Sequence, residues 1–244
     1  ESATKTAEPG LMMWDNIINN LPAESYADVG FKTITTNPCG EIPLSAYDSC
    51  RLISINLKNL VKNPFKKPKF DFDKLYEVTC KTMRMSDDLV ELELEKLENI
   101  IKACDTKDEK QLWKSLLKAC KDGRRTGLGT HEAVKVIEKI YETVRNAAYT
   151  ESVNLAKERS AFPVFDWEKE KSNSYISRLP KILREQISKF GRRNISILTN
   201  APTGSVSIMS QTSSGIEPVF RNSYKRRRKL SHNEKDVKPD FVDE

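Results

Sequence analysis

The run Thr36-Asn37-Pro38-Cys39-Gly40-Glu41-Ile42-Pro43-Leu44 brings an amide, a thiol and a carboxylate close together in the chain. Pro38 and Pro43 bias Asn37 and Ile42, the residues before them, away from helix, so the segment is expected to run extended or as a tight loop. In an extended chain, side chains two apart share a side. Asn37, Cys39 and Glu41 would then line one small space, with Gly40 leaving room for a substrate to approach. Such a set suits acid/base work beside a sulfur. Taken bare, a cysteine between two prolines is more often a packing residue, so the meaning of the triplet depends on its surroundings.

A second cysteine, Cys50, follows in Tyr47-Asp48-Ser49-Cys50-Arg51-Leu52-Ile53-Ser54-Ile55-Asn56-Leu57. Farther on, Asn194-Ile195-Ser196-Ile197-Leu198 is short, β-branched and bounded by polar residues, the pattern of a buried strand. It runs into Thr199-Asn200-Ala201-Pro202-Thr203-Gly204-Ser205-Val206-Ser207-Ile208. A glycine and several hydroxyls after a strand can offer N–H and O–H donors to a phosphate at a helix start. Alone, the same pattern is an ordinary strand-to-helix turn. Residues 225–229, Lys-Arg-Arg-Arg-Lys, form a local phosphate-attracting field, although such a run is more commonly a solvated surface segment. His131 and His232 have no metal-ligand spacing with any cysteine, so no metal site is assigned.

Together these motifs resemble the catalytic (large) subunit of ribonucleotide reductases. Asn-Pro-Cys-Gly-Glu, with Cys50 eleven residues beyond Cys39 (50 − 39) and opening a Ser-Ile-Asn-Leu strand, is similar to that family's active-site stretch. Pro-Thr-Gly-Ser-Val at 202–206, followed by Ser213-Ser214-Gly215-Ile216-Glu217-Pro218, is similar to its substrate-phosphate cradle. Thr6-Ala7-Glu8-Pro9-Gly10, Gly123-Arg124-Arg125-Thr126-Gly127-Leu128-Gly129, Ala156-Lys157-Glu158-Arg159 and Tyr224-Lys225-Arg226-Arg227-Arg228-Lys229 also look like family segments, so the resemblance covers nearly the whole sequence. The opening and the final basic stretch are most like the class II, adenosylcobalamin-dependent (vitamin B12-dependent) ribonucleoside-diphosphate reductases.

The resemblance implies roles. Cys39 corresponds to the thiyl-radical cysteine that removes the ribose 3′ hydrogen, and Glu41 to the base that takes the 3′-hydroxyl proton. Asn37 corresponds to the amide that holds the substrate hydroxyls, and Cys50 to one half of the reducing dithiol, whose other half lies upstream in the family. Substrate contacts would come from Asn37, Pro38, Cys39, Gly40 and Glu41, and from Pro202, Thr203, Gly204, Ser205 and Val206. The implied cofactor is adenosylcobalamin, the alternative being a radical supplied by a separate metal-containing subunit. Implied partners are a ribonucleotide substrate, dNTP/ATP effectors in the intact enzyme and a thioredoxin- or glutaredoxin-type reductant. A homodimer is compatible with the resemblance, and no membrane or nucleic acid is implied. The implied fold is part of a ten-stranded α/β barrel in which a finger loop carries the radical cysteine.

The elements that must position these residues can be read from periodicity. Residues 9–60 are rich in Pro, Gly and Asn, which predicts loops and short strands. After Asp71 and Asp73, Leu75, Val78, Thr82, Met85, Leu89 and Leu92 form an amphipathic stripe that re-phases to Leu94, Leu97, Ile101 and Cys104. A continuous helix would be roughly 45 Å long at 1.5 Å per residue, so it is expected either to reach an oligomer contact or to break. One buried stripe facing its own domain is the ordinary reading. Residues 111–120 read as a short helix ended by Lys121-Asp122-Gly123. Val134, Ile137, Tyr141, Val144 and Ala148 mark a helix reaching about Glu158, and residues 182–190 another that ends at Gly191. Cys80, Cys104 and Cys120 sit in these helical contexts, where burial accounts for them.

The reading is therefore an α/β, helix-rich fragment of the reductase barrel over 1–244. It comprises a finger-loop region at 31–57, a helical region at 71–190 and a phosphate-binding strand-turn at 193–210. After Thr130 the family continues through about another helix and turn before the equivalent of Glu132-Ala133-Val134, and here that stretch is absent. A natural deletion, an edit of the sequence and residues closed up in the numbering all remain open. Both ends read as cuts, so the intact enzyme is expected to be longer and this piece alone inactive. With 38% hydrophobic residues the chain can fill a core, and 41 basic against 35 acidic residues is too mild an excess for a nucleic-acid surface. No apolar run approaches a membrane span and no secretory signal is present, so a cytoplasmic location is expected. Two rival classes stand beside the reductase reading. One is a non-catalytic nucleotide- or nucleic-acid-binding module on the 202–206 turn and the 225–229 run. The other is ordinary thiol nucleophile chemistry at Cys39.

Overall fold

A computed structural model describes residues 1–6, 10–49, 51–129, 134–214, 223–227 and 239–243. Helices α1 (Ser2–Thr6) and α2 (Trp14–Asn20) lead into a 3-10 segment, Pro22–Val29, which Gly30 closes in the left-handed conformation at φ 106°. The antiparallel pair β1 (Thr35–Thr36) and β2 (Pro43–Leu44) follows, with Thr35 opposite Leu44. Next come β3 (Leu52–Ser54) and the antiparallel pair β4 (Val61–Lys62) and β5 (Lys69–Phe70). Two long helices, α3 (Phe72–Ala103) and α4 (Lys107–Gly123), lead to β6 (Gly127–Gly129) and then α5 (Val134–Arg159). Short helices α6 (Trp167–Glu170) and α7 (Ser174–Ser177) precede α8 (Lys181–Phe190) and α9 (Gly204–Ser210). The pair β7 (Tyr224–Arg227) and β8 (Pro239–Asp243) is antiparallel.

Helix α3 is continuous, so the break is not taken. Asp71 caps it, its carboxylate accepting the Lys74 N–H at 3.0 Å, which satisfies a donor that the first turn leaves open. The buried face differs from the expected stripe. Leu75 and Thr82 are buried as anticipated, but Met85, Leu89 and Leu92 are exposed, while Ser86, Asp87 and Val90 are buried. The buried face carries Asp87 beside apolar Leu75, Met83, Val90 and Leu97, and three arginines and Asn194 meet Asp87 there. The helices anticipated near 134–158 and 182–190 are present as α5 and α8, the latter ending at Gly191 with φ 73°. The helix expected at 111–120 extends back to Lys107, where the Thr106 hydroxyl caps it. Helix α2 and the 3-10 segment were not expected in a region read as loops and strands.

The expected strand at 194–198 is not a regular strand among the described residues. Ile195 and Ile197 are fully buried as anticipated, but the partners of the run are mixed. Ile195 N donates to Gly123 O at 2.9 Å and Thr126 N donates to Ser196 O at 3.0 Å, while Arg193 N and Asn194 N go to the Ser152 hydroxyl. Side-chain acceptors replace ladder bonds, so the extended backbone never forms a regular ladder. The run still lies beside residues 123–126, which continue into β6, and β6 pairs in parallel with β3. Parallel neighbours joined by long helices are the connectivity of an α/β unit. The described residues do not close a barrel.

The main core joins α3, α5, α7 and α8 through Leu75, Met83, Val144, Val153, Ile176 and Ile187, with Ile197 packed into it. A smaller cluster packs Ala23 and Tyr26 of the 3-10 segment against Phe31, Phe162 and Ile195. Gly123 is needed there: a Cβ at this position would lie 2.5 Å from Phe31 Cε1.

Candidate functional site

The hairpin loop that carries Asn37, Cys39 and Glu41 is a tight loop rather than an extended strand. Gly40 N donates to Asn37 O at 3.0 Å, Asn37 N to Ile42 O at 3.1 Å, and the Asn37 side-chain oxygen accepts the Ile42 N–H at 3.0 Å. Gly40 has φ 80°, a conformation that favours glycine. The alternation that would aim the three side chains together therefore does not hold. Asn37 spends its side-chain oxygen on the loop, Cys39 is exposed at the tip, and Glu41 turns inward. Met12 covers the loop, its Cε 3.6 Å from a Cβ built on Gly40.

Glu41 faces a cavity of about 30 Å³ together with Ile42, Arg51, Arg125, Ser196 and Thr199. Its Oε2 is buried and accepts no hydrogen bond. The Thr199 hydroxyl donates to Glu41 O at 2.9 Å. Thr199 stands four positions before Thr203, so the segment that leads into the 202–206 turn touches the cysteine-bearing loop directly. Thr203, Val206 and Ser207 instead line a larger groove of about 580 Å³ with Asn56, Lys58 and Phe65. The carboxylate and the hydroxyl-rich turn thus open on two neighbouring cavities, bridged by residues 196–203. Helix α9 starts at Gly204, where a strand-to-helix turn was expected.

Cys50 lies outside the described residues, but the chain on either side of it is clamped. Arg51 Nε meets Glu93 Oε2 at 2.6 Å, and Arg51 Nη1 donates to Arg125 O at 2.6 Å. Arg125 Nε lies 2.7 Å from Asp48 Oδ2, an ion pair too far off line for a hydrogen bond. Asp48 also accepts the Ser45 hydroxyl at 3.0 Å. Both members of the Arg125–Asp48 pair are buried, so their mutual orientation is set by packing as well as charge. Arg51 also reaches Cys120 Sγ at 2.9 Å. Burial nevertheless pushes the Cys120 thiol up to about 11, outweighing the lowering by Arg51, so Cys120 is a neutral, inert thiol. It is buried as anticipated, whereas Cys80 and Cys104 are only partly so.

Sequence reasoning missed the clamps and Thr199. Their partners lie far apart in the chain, Thr199 from Glu41 by 158 positions, and neither periodicity nor local composition records such pairs. Among the described residues no His/Cys/Asp/Glu cluster could hold a metal ion, and no helix is long and apolar enough to cross a membrane. Gly215-Ile216-Glu217-Pro218, Ala7-Glu8-Pro9, Thr130 to Ala133, Arg228-Lys229 and His232 lie outside the described residues.

Comparison with known proteins identifies the family. The chain is 31% identical over 93% of its length to a vitamin B12-dependent ribonucleoside-diphosphate reductase of Thermoplasma acidophilum, covering 27% of that protein. It is 29% identical, again over 93% of its length, to one of Mycobacterium tuberculosis, covering 29%. It is 28% identical over 40% of its length to the ribonucleoside-diphosphate reductase subunit alpha of Treponema pallidum. The chain thus spans little more than a quarter of the vitamin B12-dependent relatives it matches. The family model for the ribonucleotide reductase barrel domain matches residues 1–244 from end to end, and the chain belongs to that family.

Proposed function

We propose that this chain is the substrate-site portion of the barrel of an adenosylcobalamin-dependent ribonucleotide reductase. The enzyme would convert ribonucleotides to 2′-deoxyribonucleotides, supplying DNA precursors. The observation that carries the reading is the loop itself: an exposed thiol and an inward carboxylate two residues apart, tied by Thr199 to the segment that becomes the 202–206 turn.

In the proposed reaction the Cys39 thiyl radical takes the 3′ hydrogen atom of the ribose, forming S–H and leaving a carbon radical. The Glu41 carboxylate takes the 3′-hydroxyl proton and an equivalent proton passes to the 2′-hydroxyl, which leaves as water with no net change in protons. Two electrons and two protons then come from a thiol pair of Cys50 and a cysteine outside this chain, which close a disulfide. Cys39 returns its hydrogen atom to C3′ and the radical to its own sulfur. Asn37 holds the substrate hydroxyls through its side-chain N–H groups, its oxygen being used within the loop. Pro38 and Gly40 shape the contact, and Pro202, Thr203, Gly204, Ser205 and Val206 hold the phosphates.

An exposed Cys39 sulfur at a loop tip fits an external hydrogen-atom acceptor, since nothing in the hairpin blocks approach. Adenosylcobalamin, when bound, supplies the radical that begins the reaction. The vitamin B12-dependent relatives support this cofactor over a separate metal-containing subunit. Within the 1–244 barrel portion, the finger-loop region is assigned to 31–57, the helical region to 71–190 and the phosphate strand-turn to 193–210. A thioredoxin- or glutaredoxin-type protein would reduce the disulfide. The whole enzyme would respond to dNTP/ATP effectors, assemble as a homodimer and work in the cytoplasm. The test is Cys39→Ser in the intact enzyme: loss of deoxyribonucleotide formation with retained nucleotide binding is expected, and retained turnover would rule out the radical role.

A further inference from the structure

We infer that Thr199 is a positioning residue for the Glu41 carboxylate, holding the base by its main chain from the segment that leads into the phosphate turn. The inference rests on the proposed reductase reading, since it assumes that Glu41 is the base. The bonds that Asn37 makes to Gly40 and Ile42 fix the shape of the 37–42 loop. They do not fix its orientation relative to the rest of the fold. Burial of Ile42 and the Thr199 hydroxyl hold the loop against the rest of the fold, the hydroxyl donating to Glu41 O at 2.9 Å across the two parts of the site.

The side chain of Glu41 offers no substitute anchor. Its Oε2 is buried yet accepts no hydrogen bond, so the placement of the carboxylate follows from where the main chain is held. The same Thr199 lines the cavity that Glu41 faces, together with Arg51 and Arg125. Only three residues separate Thr199 from Thr203, and Pro202 restricts the backbone between them. A nucleotide held by its phosphates at the turn would meet a base whose distance is set through this short bridge. Small errors in such a distance are costly to catalysis.

The test uses the intact enzyme with a 3′-deuterated ribonucleotide, comparing Thr199→Val, Thr199→Ser, Glu41→Gln and Cys39→Ser. Valine keeps the shape and loses the donor, which is expected to lower kcat by about fivefold to tenfold, the scale of one hydrogen bond. KM should stay within about twofold, because ground-state binding is untouched. The isotope effect should rise as hydrogen abstraction becomes rate-limiting, and Thr199→Ser, which restores the hydroxyl, should restore both. If Thr199→Val does not accumulate as folded protein, Thr199→Ala carries the same expectation without a branched side chain. Unchanged kcat and isotope effect in Thr199→Val, with Glu41→Gln inactive, would overturn the inference and leave the reductase reading standing. Equal losses in the valine and serine variants would also overturn it, pointing to packing. Normal turnover by both Glu41→Gln and Cys39→Ser would instead remove the reading on which it rests.

Discussion

Replacing Asp87 with alanine should destabilise the chain more than any surface change. Asp87 has no exposed surface, yet four groups converge on it. Oδ1 accepts from Arg124 Nε at 3.3 Å and Asn194 Nδ2 at 3.1 Å; Oδ2 lies 3.0 Å from Arg159 Nη1 and 3.4 Å from Arg193 Nε. Without it, Arg159 keeps Asp88 at the surface, but the buried Arg124 and Arg193 must share Glu91. Breaking a buried ion pair from one side costs about 3–5 kcal/mol, because the remaining charge is left buried. For a chain of this length each kcal/mol is worth about 2–4 °C, so a fall in melting temperature of about 6–20 °C follows. Far-UV circular dichroism during thermal and urea unfolding would measure it, with Glu158→Gln as control. Glu158 is half exposed in its pair with Arg84, so its loss should cost less than about 1 kcal/mol. If Asp87→Ala cost no more than the control, the idea that the buried charges organise this fold would be refuted.

Gly123→Ala would drive a methyl into Phe31 and to within 3.1 Å of Ile195 Cγ2. A loss of about 1–3 kcal/mol by overpacking is expected in urea unfolding, whereas Gly204→Ala, with open space at its Cβ, should stay folded. The pH dependence of stability is set on the alkaline side by buried acids. Burial holds the Cys120 and Cys80 thiols at about 11 against an ordinary 9.0, and burial together with the Glu170 charge raises Tyr26 above its usual 10.0. These groups keep their protons in the fold while the unfolded chain releases them, so unfolding free energy should be level from about pH 6 to about pH 9 and fall above it. Stability that rises between pH 9 and 11 would contradict the burial of these groups.

The parts of the fold legible in the sequence are those with local signals. Asp71 before an apolar stripe marked the start of α3, and Gly191 marked the end of α8. Pro38, Gly40 and Pro43 marked a loop, but which way its side chains point depends on the positive φ of Gly40, which sequence alternation does not encode. Helix α2 buries no residue among the described ones, so it carries no periodic apolar signature and was read as loop. Met85, Leu89 and Leu92 follow helical periodicity and still face outward, while the buried face carries Ser86, Asp87 and Val90, whose long-range partners local periodicity does not encode. The 194–198 run was legible as buried but not in its bonding, since Ser152 is supplied by a helix some forty residues earlier. Chemistry-bearing residue types were therefore visible, whereas the groups that hold them, Thr199, Arg51 and Arg125, emerge only from the folded chain.

The central claim is that the sulfur of Cys39 removes the 3′ hydrogen of a ribonucleotide. Incubating the intact enzyme with adenosylcobalamin and a 3′-tritiated ribonucleotide tests it most directly, by following the small fraction of tritium lost to water when the Cys39 thiol exchanges before it returns its hydrogen to C3′. Release by the wild type, none by Cys39→Ser and strongly slowed release by Glu41→Gln are predicted. Undiminished release from Cys39→Ser would contradict the account.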